Sequence, residues 1–382
     1  MHKRNKISNR PVILFFIGKK SYFFSHRLPT ARAAIASGYD VHIIAADTGL
    51  ADSITLQDVY FHTRWFGNDR VALLSIVIGF IQLVIFSLCL RTKIVQVVGI
   101  RYALIGLFAA LFLPFTRIIF SINGLGLLFV KEKSNLYIRV ARNVILSLFR
   151  IIASFRKIEI TFQNNDDLNQ FVQEIPLRRT QIYLIRGSGV DTERYHPTAL
   201  PPLGPITFGV ASRMLRMKGI QDIITAFRQL IDEGHPVKLL LAGDIDEANP
   251  DSLNRDEIKA QCSDGAIEWQ GYLSDVKSFW EACHVAMLGS HGGEGLPMTL
   301  LIPAAMTRPI LCSDTSGNRD LIDDGVNGYL FPKGDIDAIK IAVKSMLDAD
   351  LSEMGKASLQ LIYDRKMDAA SIYDQFAALY QS

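Results

Sequence analysis

Cysteine is scarce and scattered: Cys89, Cys262, Cys283 and Cys312 are the only four in 382 residues, and no two stand at C-x-x-C spacing. That scatter argues against a disulfide framework and against a zinc site, and makes a reducing cytosol the simplest setting. Acidic residues are thin in the first half. Residues 1–200 carry 25 Lys and Arg against 12 Asp and Glu, whereas 201–382 carry 16 against 26, so a net charge of +3 conceals a basic half joined to an acidic one. A basic half predicts an anionic partner. Its cations are not interleaved with aromatic residues as base stacking requires, which turns the reading from nucleic acid to a phospholipid surface. After the basic start MHKRNKISNR there is no apolar stretch with a small-residue cleavage site, because PVILFFIG is only strand length, and an uncleaved cytoplasmic chain is expected. A full G-x-G-x-x-G is also missing.

Apolar residues make up 49% of the chain and mean hydropathy is +0.19, enough for a large core, and the length favours two domains. The opening alternates strand and helix. Residues 12–17 read as a buried strand ended by Gly18, SHRLPTARAAIASG as a helix, and YDVHIIAA as a second strand. Residues 71–90 form a run of about 20 without charge, flanked by Arg70, Arg91 and Lys93, which is long enough to span a bilayer. Gly79 and Gln82 weaken that run and the strand-like IVQVVG follows at once, so a buried or interface-dipping helix is the preferred reading. A second apolar helix is expected over 102–115. Residues 131–157 set seven basic residues and one acidic residue around an apolar stripe. This pattern suits a helix lying on an anionic membrane, and equally a solvated basic face on a helix packed against a sheet. Proline-rich 197–205 reads as a stiff linker, placing a boundary near residue 200.

The second half is organised around 290–328, SHGGEGLPMTLLIPAAMTRPILCSDTSGNRDLIDDGVNG. A glutamate in a glycine-bounded turn (Gly292, Gly293, Glu294, Gly295) leads into an apolar helix ending near Met306. A helix start offers free N–H groups and a positive dipole end to an anion, and a carboxylate beside it can grip sugar hydroxyls. Upstream, ITFGVASRMLRMKGI sets Arg213 and Lys218 around a turn before another helix, two cations suited to a diphosphate. Asp244 and Asp246 form a D-x-D, a spacing that binds divalent metal in some enzymes.

The order S-x-x-x-E-G-L-P, apolar helix, R-P-I-L-C-S-D, G-N-R-D-L-I, D-G-V-N-G-Y-L resembles the donor-site signature of retaining GT-B glycosyltransferases of family 4. It is most similar to the bacterial members that build capsule, lipopolysaccharide or glycans on polyprenyl-diphosphate. S-H-R-L-P at 25–29, G-L-G at 124–126 with Phe129, and R-G-S-G-V-D at 186–191 extend the match along the chain. The resemblance implies an α/β fold of GT-B type, two Rossmann-like doubly wound domains facing across a cleft. It divides the chain into an acceptor-binding, membrane-facing domain over 1–200, a nucleotide-sugar domain over 201–368 and a final helix over 369–382 that returns to the first domain.

The implied activity is transfer of a sugar from a nucleotide-diphosphate donor, with UDP as the expected carrier, to a polyprenyl-linked saccharide at the cytoplasmic membrane. Glu294 would orient sugar hydroxyls, while Arg213 and Lys218 would stabilise the departing diphosphate. Retention would proceed by attack on the leaving-group face, the donor phosphate taking the acceptor proton, and no paired carboxylates for double displacement are evident. Gly18, His26, Arg27, Asn123 and Gly124 would lie near the acceptor; His291, Gly295, Leu296, Leu301 and Ile302 near the donor. No cofactor, metal or nucleic acid is implied. One departure stands out: the family has a second glutamate, which holds the ribose, where this chain has Ile302, followed by Pro303, and Thr307 replaces a usual glycine. A catalytically silent GT-B protein with a binding or scaffold role, a nucleotide-sugar epimerase and a membrane-anchored scaffold are therefore alternatives.

Overall fold

A computed structural model of the chain describes residues 10–46, 58–65, 72–126, 136–175, 180–202, 204–247, 249–262 and 265–382. Residues 1–9, Val71, Phe129 and the basic stretch 131–135, all read above, lie outside the described residues. The chain forms two compact units, 1–189 with 369–382, and 190–368.

In the first unit the elements are β1 (Val12–Lys19), α1 (Lys20–His26), α2 (Leu28–Ala36), β2 (Asp40–Ala46), β3 (Val59–Thr63), α3 (Ala72–Cys89), β4 (Ile94–Val98), α4 (Ala103–Phe112), β5 (Arg117–Ile122), α5 (Leu136–Phe155), β6 (Ile158–Phe162), α6 (Asn165–Val172) and β7 (Thr180–Leu184). All seven strands are parallel, in the order β3-β2-β1-β4-β5-β6-β7. Both faces are covered, which is why β1 reads as a continuous apolar run. On β1 Ile13 and Phe15 face one layer while Leu14 and Phe16 face the other cluster, with α3, α4 and α5.

The second unit contains β8 (Ile206–Ala211), α7 (Ile220–Asp232), β9 (Val237–Ala242), α8 (Arg255–Gln261), β10 (Ile267–Trp269), α9 (Lys277–Glu281), β11 (Val285–Leu288), α10 (Met298–Ala305), β12 (Ile310–Ser313), β13 (Gly328–Phe331), α11 (Ile336–Leu347) and α12 (Leu351–Asp364). Its parallel order is β10-β9-β8-β11-β12-β13. The last helix, α13 (Ala369–Gln381), packs on α2 in the first unit, where Tyr380 is buried and donates to Gln96 Oε1 at 2.5 Å. In each sheet the winding reverses at a central strand, between β1 and β4 and between β8 and β11. The carboxyl ends of strands at such a reversal are where open α/β sheets bind ligands.

The uncharged run at 71–90 becomes the crossover helix α3. Among the described residues no helix is long and apolar enough to cross a membrane, and the spanning reading gives way to the packed one. The reason is visible at Gln82, which is fully buried: its amide donates to Thr63 O at 2.9 Å and its carbonyl accepts from Trp65 N at 3.0 Å, stitching α3 to the end of β3. The single helix expected over SHRLPTARAAIASG is two. α1 ends at His26, and Pro29 at the start of α2 has no N–H to continue the earlier ladder.

Candidate active site

The second unit gathers the charged residues of its two signature loops at the carboxyl ends of β8 and β11. The loop after β8 ends at Gly219, the N-cap of α7, whose φ of 67° is left-handed; a Cβ there would lie 2.1 Å from Gly289 O. Only glycine lets the chain after β11 pass directly over the start of α7. That passage brings Glu294 to Lys218 across 76 residues of sequence. Lys218 Nζ donates to Glu294 Oε1 in a short ion pair whose side chains are 19% and 16% exposed. The same carboxylate oxygen accepts from Ser290 Oγ at 3.0 Å. Ser290 is itself buried, its carbonyl accepting from Ser313 Oγ at 2.5 Å. From behind, Gly317 at φ 84° presses on the loop, since a Cβ would stand 2.1 Å from Gly295 O. Glu294 therefore sits on a clamped backbone with two defined partners.

Around this pair, His291 Nε2 meets Asp222 Oδ2 of the first turn of α7 at 2.7 Å, and His291 N donates to Met217 O at 2.8 Å. The first N–H groups of α7 have no partner within the helix, a standing donor set for an anion. Arg213 is largely exposed and paired with Asp246 at 3.1 Å, while Asp244 pairs with Arg255 at 2.9 Å. Both carboxylates of the D-x-D are thus engaged by arginines, and among the described residues no group of three or more His, Cys, Asp and Glu side chains is placed to hold a metal ion.

The apolar members of the donor segment divide. Leu296 and Leu301 are buried in the cluster beneath α10, so their side chains hold the helix and any ligand contact from them falls to backbone. Ile302 is half-buried against the same cluster. Pro303 stands inside α10, which runs on to Ala305. Thr307 explains why a glycine is at home there: its φ is 60°, the left-handed position after a helix end, and its hydroxyl donates to Met306 O at 2.6 Å. The next residue, Arg308, is fully buried and donates to the carbonyls of Trp280, Cys283, Thr198, Met306 and Ala199, so it binds strands and linker together within the unit.

In the first unit the structure joins residues singled out separately. Arg27 is buried and its Nη2 donates to Asn123 Oδ1, which also accepts from Gln163 Nε2 at 3.3 Å, and Asn123 Nδ2 donates to Tyr22 OH at 2.7 Å. His26 stacks on Tyr22 with ring centroids 4.5 Å apart; burial and the neighbouring Arg27 charge push it down to about 4, so it is neutral near pH 7. Gly18 is elsewhere, against Tyr102, whose hydroxyl a Cβ at 18 would approach to 2.6 Å, and Arg64 donates to that hydroxyl at 3.3 Å. Gly124 has φ 136° in the turn after β5. Tyr22, Gln163, Tyr102 and Asp222 were not singled out from sequence, and Ser290 stood there only as the first residue of the S-x-x-x-E-G-L-P pattern, without a role of its own. A capping-type acid in the first turn of α7 was the only signal available for Asp222, and such residues are common.

Residues 205–349 match the family model described as glycosyl transferases group 1. Over 175 residues the chain is 23% identical to the capsular polysaccharide biosynthesis glycosyltransferase CapM of Staphylococcus aureus, covering 46% of this chain and 45% of that one. Over 164 residues it is 26% identical to the amylovoran biosynthesis glycosyltransferase AmsK of Erwinia amylovora, covering 40% and 38%. The chain spans about half the length, or less, of the curated relatives it matches. Among solved structures, a glycosyltransferase from Rickettsia africae aligns with a TM-score of 0.77 at 15% identity over 98% of both chains. Anabaena HepE in complex with UDP aligns with a TM-score of 0.72 at 16% identity over 97% of this chain and 99% of that one. The fold, two parallel-sheet α/β units, is that of these GT-B proteins.

Proposed function

We propose that the chain is a glycosyltransferase of surface-polysaccharide assembly, taking a sugar from a nucleotide-diphosphate donor held in the second unit and passing it, with retention, to a polyprenyl-linked saccharide at the cytoplasmic face of the membrane. The observation that carries the reading is the Lys218–Glu294–Ser290 cluster beside the start of α7. The diphosphate lies at the α7 N-terminus, where unpaired N–H groups, Lys218 and Arg213 offset its charge. To reach it, Lys218 leaves Glu294 and Arg213 leaves Asp246. Glu294, still held by Ser290, is then free to accept from hydroxyls of the transferred sugar. As the glycosidic bond to phosphate breaks, negative charge grows on the diphosphate against fixed cations and dipoles, which is where such groups lower a barrier. The acceptor attacks on the same face and its proton passes to the departing phosphate. UDP is favoured because HepE is seen with UDP and UDP-glucose. Arg27 with Asn123, and Gly18 with Tyr102, are the acceptor-side candidates in the first unit.

Ile302 supports a second reading. By the resemblance it removes a carboxylate contact to ribose worth about 1.5–3 kcal/mol, or roughly ten- to hundredfold in affinity. A weaker donor site follows, and in the limit a silent one. Incubating the full chain with radiolabelled UDP-sugars and bacterial lipid extract tests the proposal. Label entering the organic phase supports transfer; interconversion of the donor without lipid would instead assign an epimerase, and no change with any donor would assign the silent protein.

A further inference from the structure

Behind the Lys218–Glu294 pair runs a buried series of hydrogen bonds. It starts at Asn318, in the loop after β12, whose side chain is fully buried. Asn318 Nδ2 donates to Ser313 O at 2.9 Å and to Ser313 Oγ at 3.2 Å. A backbone carbonyl only accepts, so the amide nitrogen must face Ser313; the Ser313 hydroxyl, already accepting, has its single proton left to give. That proton goes to Ser290 O at 2.5 Å. The same peptide is held at its other end, where His291 N donates to Met217 O at 2.8 Å. With the peptide pinned from β12 on one side and from the loop before α7 on the other, the Ser290 hydroxyl has a fixed origin, and it donates to Glu294 Oε1 at 3.0 Å.

Two features separate this series from ordinary loop closure. Each link donates in the direction of Glu294, and both donors that reach the carboxylate, Ser290 Oγ and Lys218 Nζ, fall on Oε1. Oε2 accepts from none of the described residues. Asn318 Oδ1, by contrast, is buried with no partner among the described residues. A buried amide that leaves its own oxygen unpaired is unfavourable as mere packing, so what accounts for it is the pair of N–H bonds it donates to Ser313. We propose that Asn318 is a positioning residue of the donor site: through Ser313 and Ser290 it commits Oε1 of Glu294 to the protein and leaves Oε2 to a hydroxyl of the transferred sugar. A carboxylate only accepts, so the ligand group at Oε2 is a sugar O–H, not the ring oxygen and not a phosphate oxygen. When the diphosphate draws Lys218 away, Ser290 is the donor that stays on Glu294, and the series behind it keeps the carboxylate from following the cation. The inference rests on the donor site proposed above.

The test is calorimetric titration of the full chain with UDP, UDP-glucose, UDP-galactose and UDP-N-acetylglucosamine, because UDP fills the diphosphate position without presenting a sugar. In Asn318→Ala and in Ser313→Ala the Kd for UDP should stay close to that of the unaltered chain, while the Kd for the tightest of the three sugar nucleotides rises roughly tenfold. The double variant should lose little more than either single one, since both changes cut one series. Ser313→Thr keeps the hydroxyl and should bind as the unaltered chain does. Hydrogen exchange at the amides of 291–295, measured without nucleotide, should quicken in the two alanine variants and not in Ser313→Thr. Thermal melts check folding, and should Asn318→Ala fail to fold, Ser313→Ala against Ser313→Thr decides alone. Equal weakening of UDP and the sugar nucleotides would make Asn318 a structural residue of its loop and overturn the proposal. So would additive losses in the double variant, or sugar-nucleotide binding unchanged in both alanine variants. Failure of the donor site itself shows earlier, as an unaltered chain that binds none of the four ligands; failure of the positioning role shows as variants that match an unaltered chain that does bind them.

Discussion

Replacing Glu294 by glutamine should tighten binding of the free nucleotide diphosphate while abolishing transfer. Lys218 is held by Glu294 with both side chains mostly buried, so a diphosphate must first take Lys218 from its carboxylate. At a separation near 4 Å and an effective dielectric near 20 the pair attraction is about 4 kcal/mol before desolvation, and net values for hydrogen bonds to charged groups are nearer 1.5–3 kcal/mol. Removing the competing charge should therefore return about 1.5 kcal/mol to the ligand, roughly a tenfold lower Kd for UDP. Ser290 can still donate to the amide oxygen, so the loop keeps its partner. Without ligand, Lys218 is left unpaired and stability should drop by about 1–2 kcal/mol, with an enlarged rise in Tm on adding UDP. Isothermal calorimetry gives the Kd and label transfer gives the activity. Unchanged or weaker UDP binding in Glu294→Gln would refute the exchange of Lys218 between carboxylate and diphosphate, and transfer at full rate would refute the role of Glu294.

Gly219→Ala sets a Cβ 2.1 Å from Gly289 O at a left-handed φ; a loss of about 3 kcal/mol or more in denaturant unfolding is expected, with UDP binding lost in parallel. Arg308→Met removes a buried guanidinium that satisfies five backbone carbonyls, and should cost about 3–5 kcal/mol by the same assay without any separate effect on nucleotide selectivity. Acid should weaken the first unit. His26 is pushed down to about 4 by burial and by Arg27, and His42 to about 4 by burial and by His62 against the opposing pull of Asp40, so in both cases the unfolded chain binds the proton first. Their contribution is intact above pH 6.5 and is lost as pH falls toward 4, with roughly 3 kcal/mol at stake for His26; melting at stepped pH measures it, and His26→Gln should flatten the profile.

The parallel sheets were legible because strands covered on both faces are written as unbroken apolar runs, as in VILFFI of β1 and VAML of β11. Short or half-exposed elements were not. β3, VYFHT, gets no element from the sequence although its residue types favour a strand, because none of its residues is fully buried, and α6 is only eight residues, though its N-cap Asn164 accepting from Asp167 N was a usable signal. In the candidate site the residue types pointed to anion and sugar chemistry, but the pairings could not be read. Lys218 and Glu294 are joined by a crossing of two loops at Gly219, and Arg27, between α1 and α2, meets Asn123, just past β5, because the sheet order sets β1, β4 and β5 side by side; neither closure leaves a local pattern. Thr307 was visible as an oddity and became intelligible only through its backbone angle.

Calorimetric titration of the unaltered chain and of Ile302→Glu with UDP and GDP tests the donor site most directly. Binding to the unaltered chain, lost in Lys218→Met and tightened roughly tenfold or more in Ile302→Glu, is the result expected of a working donor site with one ribose contact removed. Absence of binding to both proteins by either nucleotide would contradict it.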